Sequence, residues 1–231
     1  MATLTGKHIL VVGASGAFGQ EFCTQLQALG ATVLGTASTT NSSIRLSSSL
    51  NQRLILDLAS QSSVMAVTAH LLATAPRIDG IVLAAGLVAF GPLSDTPPEV
   101  TEKLMRVNFL GQSQLVQGLL PLLQASSQSS NDPFVLSISG IISENPMPGL
   151  ASYSASKTAL AGFAGAMRKE WKPQGISWID ARPGHTESGL ASRAIFGTAP
   201  NFGAGKTVPG VVSRILEGIV SGEKDLPSSA F

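Results

Sequence analysis

A tyrosine and a lysine four positions apart are the residues of this sequence best suited to exchange a proton. Tyr153 is the single tyrosine of the chain, and Lys157 follows it inside a predicted helix, where this spacing puts both side chains on one face. A phenol that works near neutral pH needs its pKa lowered by roughly 3, which corresponds to about 4 kcal/mol. An ammonium about 4 Å away supplies roughly that much at an effective dielectric constant of about 20. The pair therefore predicts an acid/base site.

The same spacing also fits an ordinary amphipathic helix in which the tyrosine packs and the lysine is solvated. Apart from the pair itself, residues 151–159 are all Ala, Ser or Thr, which leaves room for a substrate and a cofactor to approach. This surrounding favours the acid/base interpretation.

A glycine-rich segment near the N-terminus has the spacing of a phosphate-binding turn. Residues 13–19 read Gly-Ala-Ser-Gly-Ala-Phe-Gly, after an apolar run at 8–12 and before a predicted helix at 16–29. Glycines allow a tight turn, and a helix N-terminus offers free N–H groups to a pyrophosphate. The alternative is a turn that needs small residues and binds nothing. The strand–turn–helix context favours dinucleotide binding, and the predicted contacts are Gly13, Ser15, Gly16, Phe18 and Gly19.

The end of the second predicted strand indicates which dinucleotide is bound. A carboxylate there would bind a ribose 2′-hydroxyl, whereas hydroxyl donors and cations suit a 2′-phosphate. The chain has Ser38, Thr39 and Thr40 at this point and no acidic residue, and Arg45 can supply a cation if the loop folds back. An unengaged, solvated loop is the alternative. NADP(H) is therefore favoured, with NAD(H) possible.

The rest of the pattern alternates short apolar strands with helices of ten residues or more. Strands are predicted at 8–12, 31–36, 53–56, 78–84, 134–139 and 176–181, and helices at 16–29, 60–75, 98–123, 152–171 and 208–220. Segments 38–49 and 126–133 are predicted as surface loops. This alternation predicts an α/β fold with a doubly wound parallel sheet, a Rossmann-type three-layer α/β/α single domain over 1–231.

Composition excludes several other classes of protein. The formal net charge is +1, with 13% charged residues, which gives no basic surface for nucleic acid or an anionic membrane. Cys23 is the only cysteine, so a disulfide scaffold or a zinc module is not expected, and no metal site is predicted. No apolar stretch is long enough to span a membrane, and the N-terminus lacks a signal-peptide pattern. A cytoplasmic location is expected.

Over nearly its full length the chain resembles the short-chain dehydrogenase/reductase family. The resemblance is carried, in order along the chain, by the glycine turn, Asp57-Leu58, Ala84-Ala85-Gly86, Val107-Asn108, Tyr153 with Lys157, and Arg182-Pro183-Gly184. The order and combination of these motifs make it specific.

The resemblance implies a role for each matching residue. Tyr153 would be the catalytic acid/base, Lys157 would lower its pKa and hold the nicotinamide ribose, and Asn108 would sustain a water-linked proton relay. Asp57 would bind the adenine, and Gly86 would let the chain pass close to the cofactor. Further expected contacts are Leu58, Ala85, Pro183, Gly184 and Thr186, the last three beside the nicotinamide.

The sequence departs from the family at the position of its substrate-orienting serine. Thirteen residues before Tyr153, where the family has this hydroxyl, the chain has Gly140. Ser139 is the best substitute, although a step of one residue along a strand points the side chain to the opposite face, and Ser143 is the second. The C-terminus also lacks the family's glycine-rich final strand and tail, which leaves a homodimer as plausible as a homotetramer.

Two functions follow from these residues. The first is an NADP(H)-dependent oxidoreductase that interconverts a ketone or aldehyde and an alcohol, with a small, apolar carbonyl or alcohol substrate bordered by a loop at about 186–207. The second is a dinucleotide-binding regulatory or scaffold protein that has lost turnover. This interpretation is motivated by Gly140 and by Leu83-Ala84, which stand where many members of the family have a pair of asparagines.

Overall fold

A parallel sheet of seven strands forms the centre of the computed structural model, which describes residues 3–231. The strands are β1 (His8–Val12), β2 (Thr32–Ala37), β3 (Gln52–Ile55), β4 (Gly80–Leu83), β5 (Phe134–Ile138), β6 (Ser177–Ala181) and β7 (Asp225–Leu226). Their order in the sheet is β3-β2-β1-β4-β5-β6-β7, and every neighbouring pair is parallel.

Helices cover both faces of the sheet. They are α1 (Ala17–Ala28), α2 (Thr40–Ser43), α3 (Gln61–Thr74), α4 (Pro98–Met105), α5 (Gly111–Gln128), α6 (Ala151–Glu170) and α7 (Val208–Ser221). Ile9 of β1 packs into a core with α1 and α7, while its neighbour Leu10 packs into a second core with α3, α5 and α6. Burial of successive residues on opposite faces explains the continuous apolar runs of the strands. The predicted three-layer α/β/α fold is confirmed.

The direction of strand addition reverses between β1 and β4. The chain builds β1, β2 and β3 toward one edge and then β4 to β7 toward the other. The loops after β1 and β4 therefore leave the sheet on opposite faces and open a crevice at its carboxyl end, where ligands of such folds bind.

Several elements differ from those predicted from the sequence. The long helix predicted at 98–123 is interrupted by a π-helical segment, Arg106–Leu110, and its last part, α5, runs to Gln128. Segment 38–49 contains the one-turn helix α2. The sequence analysis expected no final strand, but β7 pairs with β6. A strand of two residues is too short to show an alternating pattern in the sequence. Within 3–231 no helix has both the length and the mean hydropathy to cross a bilayer.

Candidate active site

The turn between β1 and α1 depends on glycines at two positions. Gly13 has a φ of +84°, and a Cβ at this position would lie 2.8 Å from backbone atoms of Ala85. A Cβ on Gly19 would lie 2.1 Å from the carbonyl oxygen of Gly13, so glycine at 19 lets α1 pack against the turn. Thr36 Oγ1 accepts the Gly13 N–H at 3.0 Å and ties the turn to β2.

The N-terminus of α1 has no side chain that competes with a ligand for its N–H groups. Gly16 is the N-cap residue, and the first turn of α1 contains no acidic residue. The first N–H groups of a helix have no acceptor within the helix and carry partial positive charge. This turn and helix end fit the pyrophosphate of a dinucleotide.

A cavity of about 850 Å³ lies at the carboxyl ends of the strands, beside the glycine turn. Its volume is in the range of small-molecule and cofactor sites. Of the predicted cofactor contacts, Gly19 does not line the cavity and serves the packing of the turn. The others all line it: Gly13, Ser15, Gly16, Phe18, Ser38, Asp57, Leu58, Ala85, Gly86, Tyr153, Lys157, Pro183, Gly184 and Thr186.

The loop after β2 folds back onto the glycine turn. Arg45 Nε donates to the Ser15 carbonyl oxygen at 3.1 Å. Helix α2 holds this arrangement, because the Thr39 hydroxyl caps it by accepting the Ser42 N–H at 3.1 Å. Ser38, Thr39 and Arg45 thus line the cavity together, and a cation and two hydroxyls lie beside the turn.

Asp57 and Leu58 follow β3 and line the same cavity. The Asp57 side chain is exposed, and its Oδ1 accepts the Ala59 N–H at 2.9 Å. This bond fixes the carboxylate while leaving it further acceptor positions for a ligand N–H group.

Tyr153 and Lys157 lie in the N-terminal half of α6, as the spacing predicted. Lys157 is 6% exposed, and its Nζ donates to the Ile138 carbonyl oxygen at 2.7 Å. Burial lowers the pKa of Lys157 to about 8, against the opposing effect of the charge on Asp180. Burial also raises the pKa of Tyr153 to about 12. The lowered phenol pKa expected from the sequence is thus not present in this arrangement.

Asn108 lies behind the cavity, in the π-helical segment, and is fully buried. Its Nδ2 donates to the Leu87 carbonyl oxygen and to Ser156 Oγ, both at 2.9 Å, and its Oδ1 accepts the Leu87 N–H at 2.8 Å. A Cβ added at Gly86 would lie 3.5 Å from both Asn108 Oδ1 and Lys157 Nζ. The structure therefore brings Gly86, Asn108 and Lys157 together, with the Asn108 amide engaged by protein groups.

Ser139 lines the cavity, but its hydroxyl is bound to Asp180, and its role as the substitute for the family's serine stays a prediction. The side chain is fully buried, and its Oγ donates to Asp180 Oδ2 at 2.6 Å. Ser143 Oγ donates to Ser139 Oγ at 3.1 Å and to the Gly140 carbonyl oxygen at 2.8 Å, and Ser143 does not line the cavity. The alternation of a strand decides this outcome, since Ser139 shares the face of Ser137 and Asp180.

Gly140 lines the cavity at the family's serine position. Its φ of +74° and ψ of 164° fall in a region that only glycine readily adopts. A Cβ there would meet only the Pro183 carbonyl oxygen, at 3.7 Å. The site is therefore open at this point, and its backbone does not suit a serine.

The end of the cavity near Tyr153 is apolar. Phe90 and Phe202 both line it, with ring centroids 6.0 Å apart, and the His185 ring lies 5.0 Å from Phe202. Further apolar residues of this wall were missed by the sequence analysis, because they come from separate loops without a shared pattern: Val88, Ile142, Leu150 and Leu190.

Comparison with known proteins identifies the family and agrees with the fold. Residues 7–195 match the family model of short chain dehydrogenases. A curated relative is the dehydrogenase/reductase SDR family protein 7-like of Drosophila melanogaster, which is 27% identical over 240 residues that cover 96% of this chain and 72% of the relative.

Two solved structures show the same fold. A short-chain dehydrogenase from Burkholderia cenocepacia J2315 in complex with NADP superimposes with a TM-score of 0.82 at 21% identity, covering 97% of this chain and 89% of the other. The 3-ketoacyl-(acyl-carrier-protein) reductase from Brucella melitensis, complexed with NADH, gives a TM-score of 0.86 at 19% identity and covers 99% of both chains. With the family model matching most of its length, the chain belongs to the short-chain dehydrogenase family.

Proposed function

We propose that this protein is an NADP(H)-dependent oxidoreductase that interconverts a ketone or aldehyde and the corresponding alcohol, with Tyr153 as the acid/base. The observation that carries the proposal is that Tyr153 and Lys157 line the same cavity as the glycine turn. A packing tyrosine and a solvated lysine would not share a cavity with a phosphate-binding turn.

In carbonyl reduction, each of the chain's own groups has a separate role. When the cofactor is bound, its nicotinamide ring supplies the hydride. Tyr153 remains protonated at neutral pH because burial raises its pKa to about 12, so it can donate a proton to the carbonyl oxygen. Lys157 supplies a buried cation beside Gly86, where it would hold the ribose. The apolar wall excludes water from the reacting groups.

The preference for NADP(H) rests on the loop after β2. Arg45 and the hydroxyls of Ser38 and Thr39 lie beside the turn, and β2 ends without a carboxylate. A 2′-phosphate would be paired there, whereas a 2′-hydroxyl would lack its usual acceptor. The solved relatives carry NADP in one case and NADH in the other, so NAD(H) remains the alternative.

The substrate is proposed to be a small apolar carbonyl compound or alcohol. Phe90 and Phe202 supply an aromatic wall near Tyr153, and Gly140 leaves the space of a side chain open in the same cavity. Residues 186–207 contribute Ser188, Leu190 and Phe202 to the cavity, in keeping with a substrate loop.

A regulatory or scaffold protein that binds the dinucleotide without turnover is the second candidate. It is favoured by one observation: Gly140 offers no hydroxyl, and the hydroxyl of Ser139 is committed to Asp180. Loss of one donor to the developing oxyanion costs about 3–4 kcal/mol in the transition state.

Fluorescence titration with NADPH and NADH, followed by a panel of apolar ketones and aldehydes, separates the two candidates. We expect tighter binding of NADPH and oxidation of NADPH with at least one carbonyl. In Tyr153→Phe, turnover should fall about 100- to 10,000-fold while the Kd for NADPH stays within about twofold. Tight binding without turnover over the whole panel would favour the regulator, and full activity of Tyr153→Phe would refute the acid/base assignment.

We also propose that the protein works in the cytoplasm as a homo-oligomer. The family resemblance implies a homodimer or homotetramer, and light scattering of the purified protein decides between the two oligomers.

A further inference from the structure

The side chain of Gln112 joins two segments that line the cavity. Gln112 is the second residue of α5 and is fully buried. Its Nε2 donates to the Ala85 carbonyl oxygen and to the Val107 carbonyl oxygen, both at 3.0 Å. Ala85 follows β4, Val107 belongs to the π-helical segment, and both residues line the cavity. One amide group therefore connects the chain after β4 to the helix behind it.

Gln112 and Asn108 hold the chain on both sides of Gly86. The Asn108 amide accepts the Leu87 N–H at 2.8 Å and donates to the Leu87 carbonyl oxygen at 2.9 Å. The Gln112 amide binds Ala85 on the other side of the glycine. The side chains of residues 83–85 are Leu, Ala and Ala, so they supply no polar group of their own at this point. The position of Gly86 in the cavity is thus set by two amides of neighbouring helical turns.

Ala85 also contacts the glycine turn directly. A Cβ at Gly13 would lie 2.8 Å from backbone atoms of Ala85, so the two backbones pack against each other without a side chain between them. Gly111, which precedes Gln112, leaves no room for a Cβ because of the Leu58 carbonyl oxygen, and Leu58 lines the cavity as well. The start of α5 therefore supports two cavity-lining segments, and Gln112 is the residue that does so through hydrogen bonds.

Stability alone does not account for a glutamine at this position. Within residues 3–231, Gln112 Oε1 is buried and has no hydrogen-bond partner. Burial of an unsatisfied polar atom costs free energy. The next buried residues of α5, Leu115 and Val116, are apolar, as expected for a helix that packs on a sheet. The consequence of the Gln112 amide therefore lies in the two carbonyl groups that it fixes.

We propose that Gln112 is a positioning residue of the dinucleotide site, whose amide holds Ala85 against the glycine turn. The inference rests on the proposed function, since it assigns Gln112 a part in binding the cofactor. The glycine turn and Gly86 lie where the portion common to NADPH and NADH would bind. Loss of the Gln112 amide should therefore weaken the binding of both dinucleotides equally.

The test compares Gln112→Met with Gln114→Met. Methionine removes the amide and keeps an unbranched side chain of similar length. Gln114 is the matched control, because it lies on the same helix, its Oε1 is also buried without a partner in the described residues, and it does not line the cavity. In fluorescence titrations we expect the Kd for NADPH and the Kd for NADH each to rise about tenfold in Gln112→Met. Both should stay within about twofold of the wild-type values in Gln114→Met.

Two further readouts separate positioning from a general loss of packing. Hydrogen exchange is measured in the cofactor-free protein, and the amides of residues 84–88 should exchange about tenfold faster in Gln112→Met, relative to those of β6. In steady-state kinetics with the best carbonyl of the panel, the KM for NADPH should rise about tenfold. The KM for the carbonyl and kcat at saturating NADPH should change less than about threefold.

An unchanged Kd in Gln112→Met, or an equal rise in Gln114→Met, would overturn the proposal. A raised Kd without faster exchange at residues 84–88 would overturn the role of Ala85. Failure of the wild type to bind or turn over a dinucleotide refutes the proposed function instead, and hydrogen exchange still decides whether Gln112 holds the chain after β4. Should Gln112→Met not fold, Gln112→Asn, whose amide is one methylene shorter, carries the same prediction.

Discussion

Two buried aspartates with almost the same partners lie at opposite ends of the sheet. Asp79, just before β4, accepts a serine hydroxyl from Ser126 at 2.6 Å and Arg77 Nε at 3.0 Å. Asp180, near the end of β6, accepts a serine hydroxyl at 2.6 Å and Arg182 Nη1 at 3.0 Å. In both cases the arginine is two residues away along the chain.

The surroundings make the two carboxylates different. Asp79 also accepts the His8 N–H at 2.7 Å, which ties the start of β1 to the start of β4, and it does not line the cavity. Asp180 binds the hydroxyl of Ser139, a residue that lines the cavity. The same hydrogen-bond chemistry thus joins strands at their amino ends, whereas at their carboxyl ends it lies beside the candidate active site. Four variants test this division.

The largest effect is expected from Gly19→Ala at the carboxyl end. The added Cβ would collide with the Gly13 carbonyl oxygen, so the turn must move away from the helix N-terminus. We expect the affinity for NADPH to fall about a thousandfold, or about 4 kcal/mol, in a fluorescence titration. Gly162→Ala is the matched control, because its Cβ meets nothing within 4 Å in α6 and should stabilise the helix by about 1 kcal/mol. Wild-type affinity in Gly19→Ala would contradict the account of the turn.

Next in size is Asp79→Asn at the amino end. Burial alone would raise the pKa of Asp79, but hydrogen bonds from Ser126, the His8 N–H and Arg77 hold it below its usual value. The ionised group therefore contributes stability above the unfolded pKa of about 4, and this contribution is lost as the pH falls through the lower folded pKa. We expect urea denaturation at pH 7 to show a loss of about 3 kcal/mol.

The Kd of Asp79→Asn for NADPH should stay within about twofold of the wild-type value, because Asp79 lies outside the cavity. Its loss of stability should shrink toward acid pH, where the wild type loses the same contribution. If Asp79→Asn lowered the affinity for NADPH as much as Gly19→Ala, the separate roles of the two ends of the sheet would be contradicted.

A smaller effect, restricted to one cofactor, is expected for Arg45→Ala. The guanidinium lies over the glycine turn and lines the cavity, where a 2′-phosphate would meet it. The Kd for NADPH should rise about tenfold, or about 1.4 kcal/mol, while that for NADH changes little. An equal loss of affinity for NADPH and NADH would show that Arg45 only supports the conformation of the loop.

Ser139→Ala is expected to have the smallest effect of the four. It removes one donor to Asp180 and should cost about 1 kcal/mol of stability, with turnover reduced less than tenfold. A loss of turnover of 100-fold or more at unchanged stability would return Ser139 to the role that the sequence analysis gave it. Ser143→Ala, which removes only a donor to Ser139 and the backbone, serves as the comparison.

The fold and the dinucleotide turn could be predicted because they depend on backbone requirements. Runs of apolar residues mark strands buried on both faces, and Gly13 and Gly19 occupy positions where a Cβ has no room. The positive φ of Gly13 and the contact of Gly19 with Gly13 act within a few residues and leave a trace in the local sequence. Tyr153 and Lys157 could be predicted for the same reason, since they lie on one helix.

The remainder of the site depends on contacts between distant segments. The partner of the Ser139 hydroxyl is Asp180, 41 residues later, and the apolar wall combines loops from four parts of the chain. The pKa of Tyr153 was expected to fall because the pair was considered alone, whereas burial by those loops raises it. Arg45 reaches the glycine turn only because the loop after β2 folds back, and helix α2 holds the loop in this conformation.

The conformation of Gly140 has a consequence for engineering this site. Because φ and ψ there lie in a region that only glycine readily adopts, a serine introduced at this position would be strained unless the adjoining peptides rotated as well. A single substitution is therefore a poor way to install a hydroxyl at this point of the pocket. Redesign of the pocket is better begun at a neighbouring position whose backbone accepts a side chain.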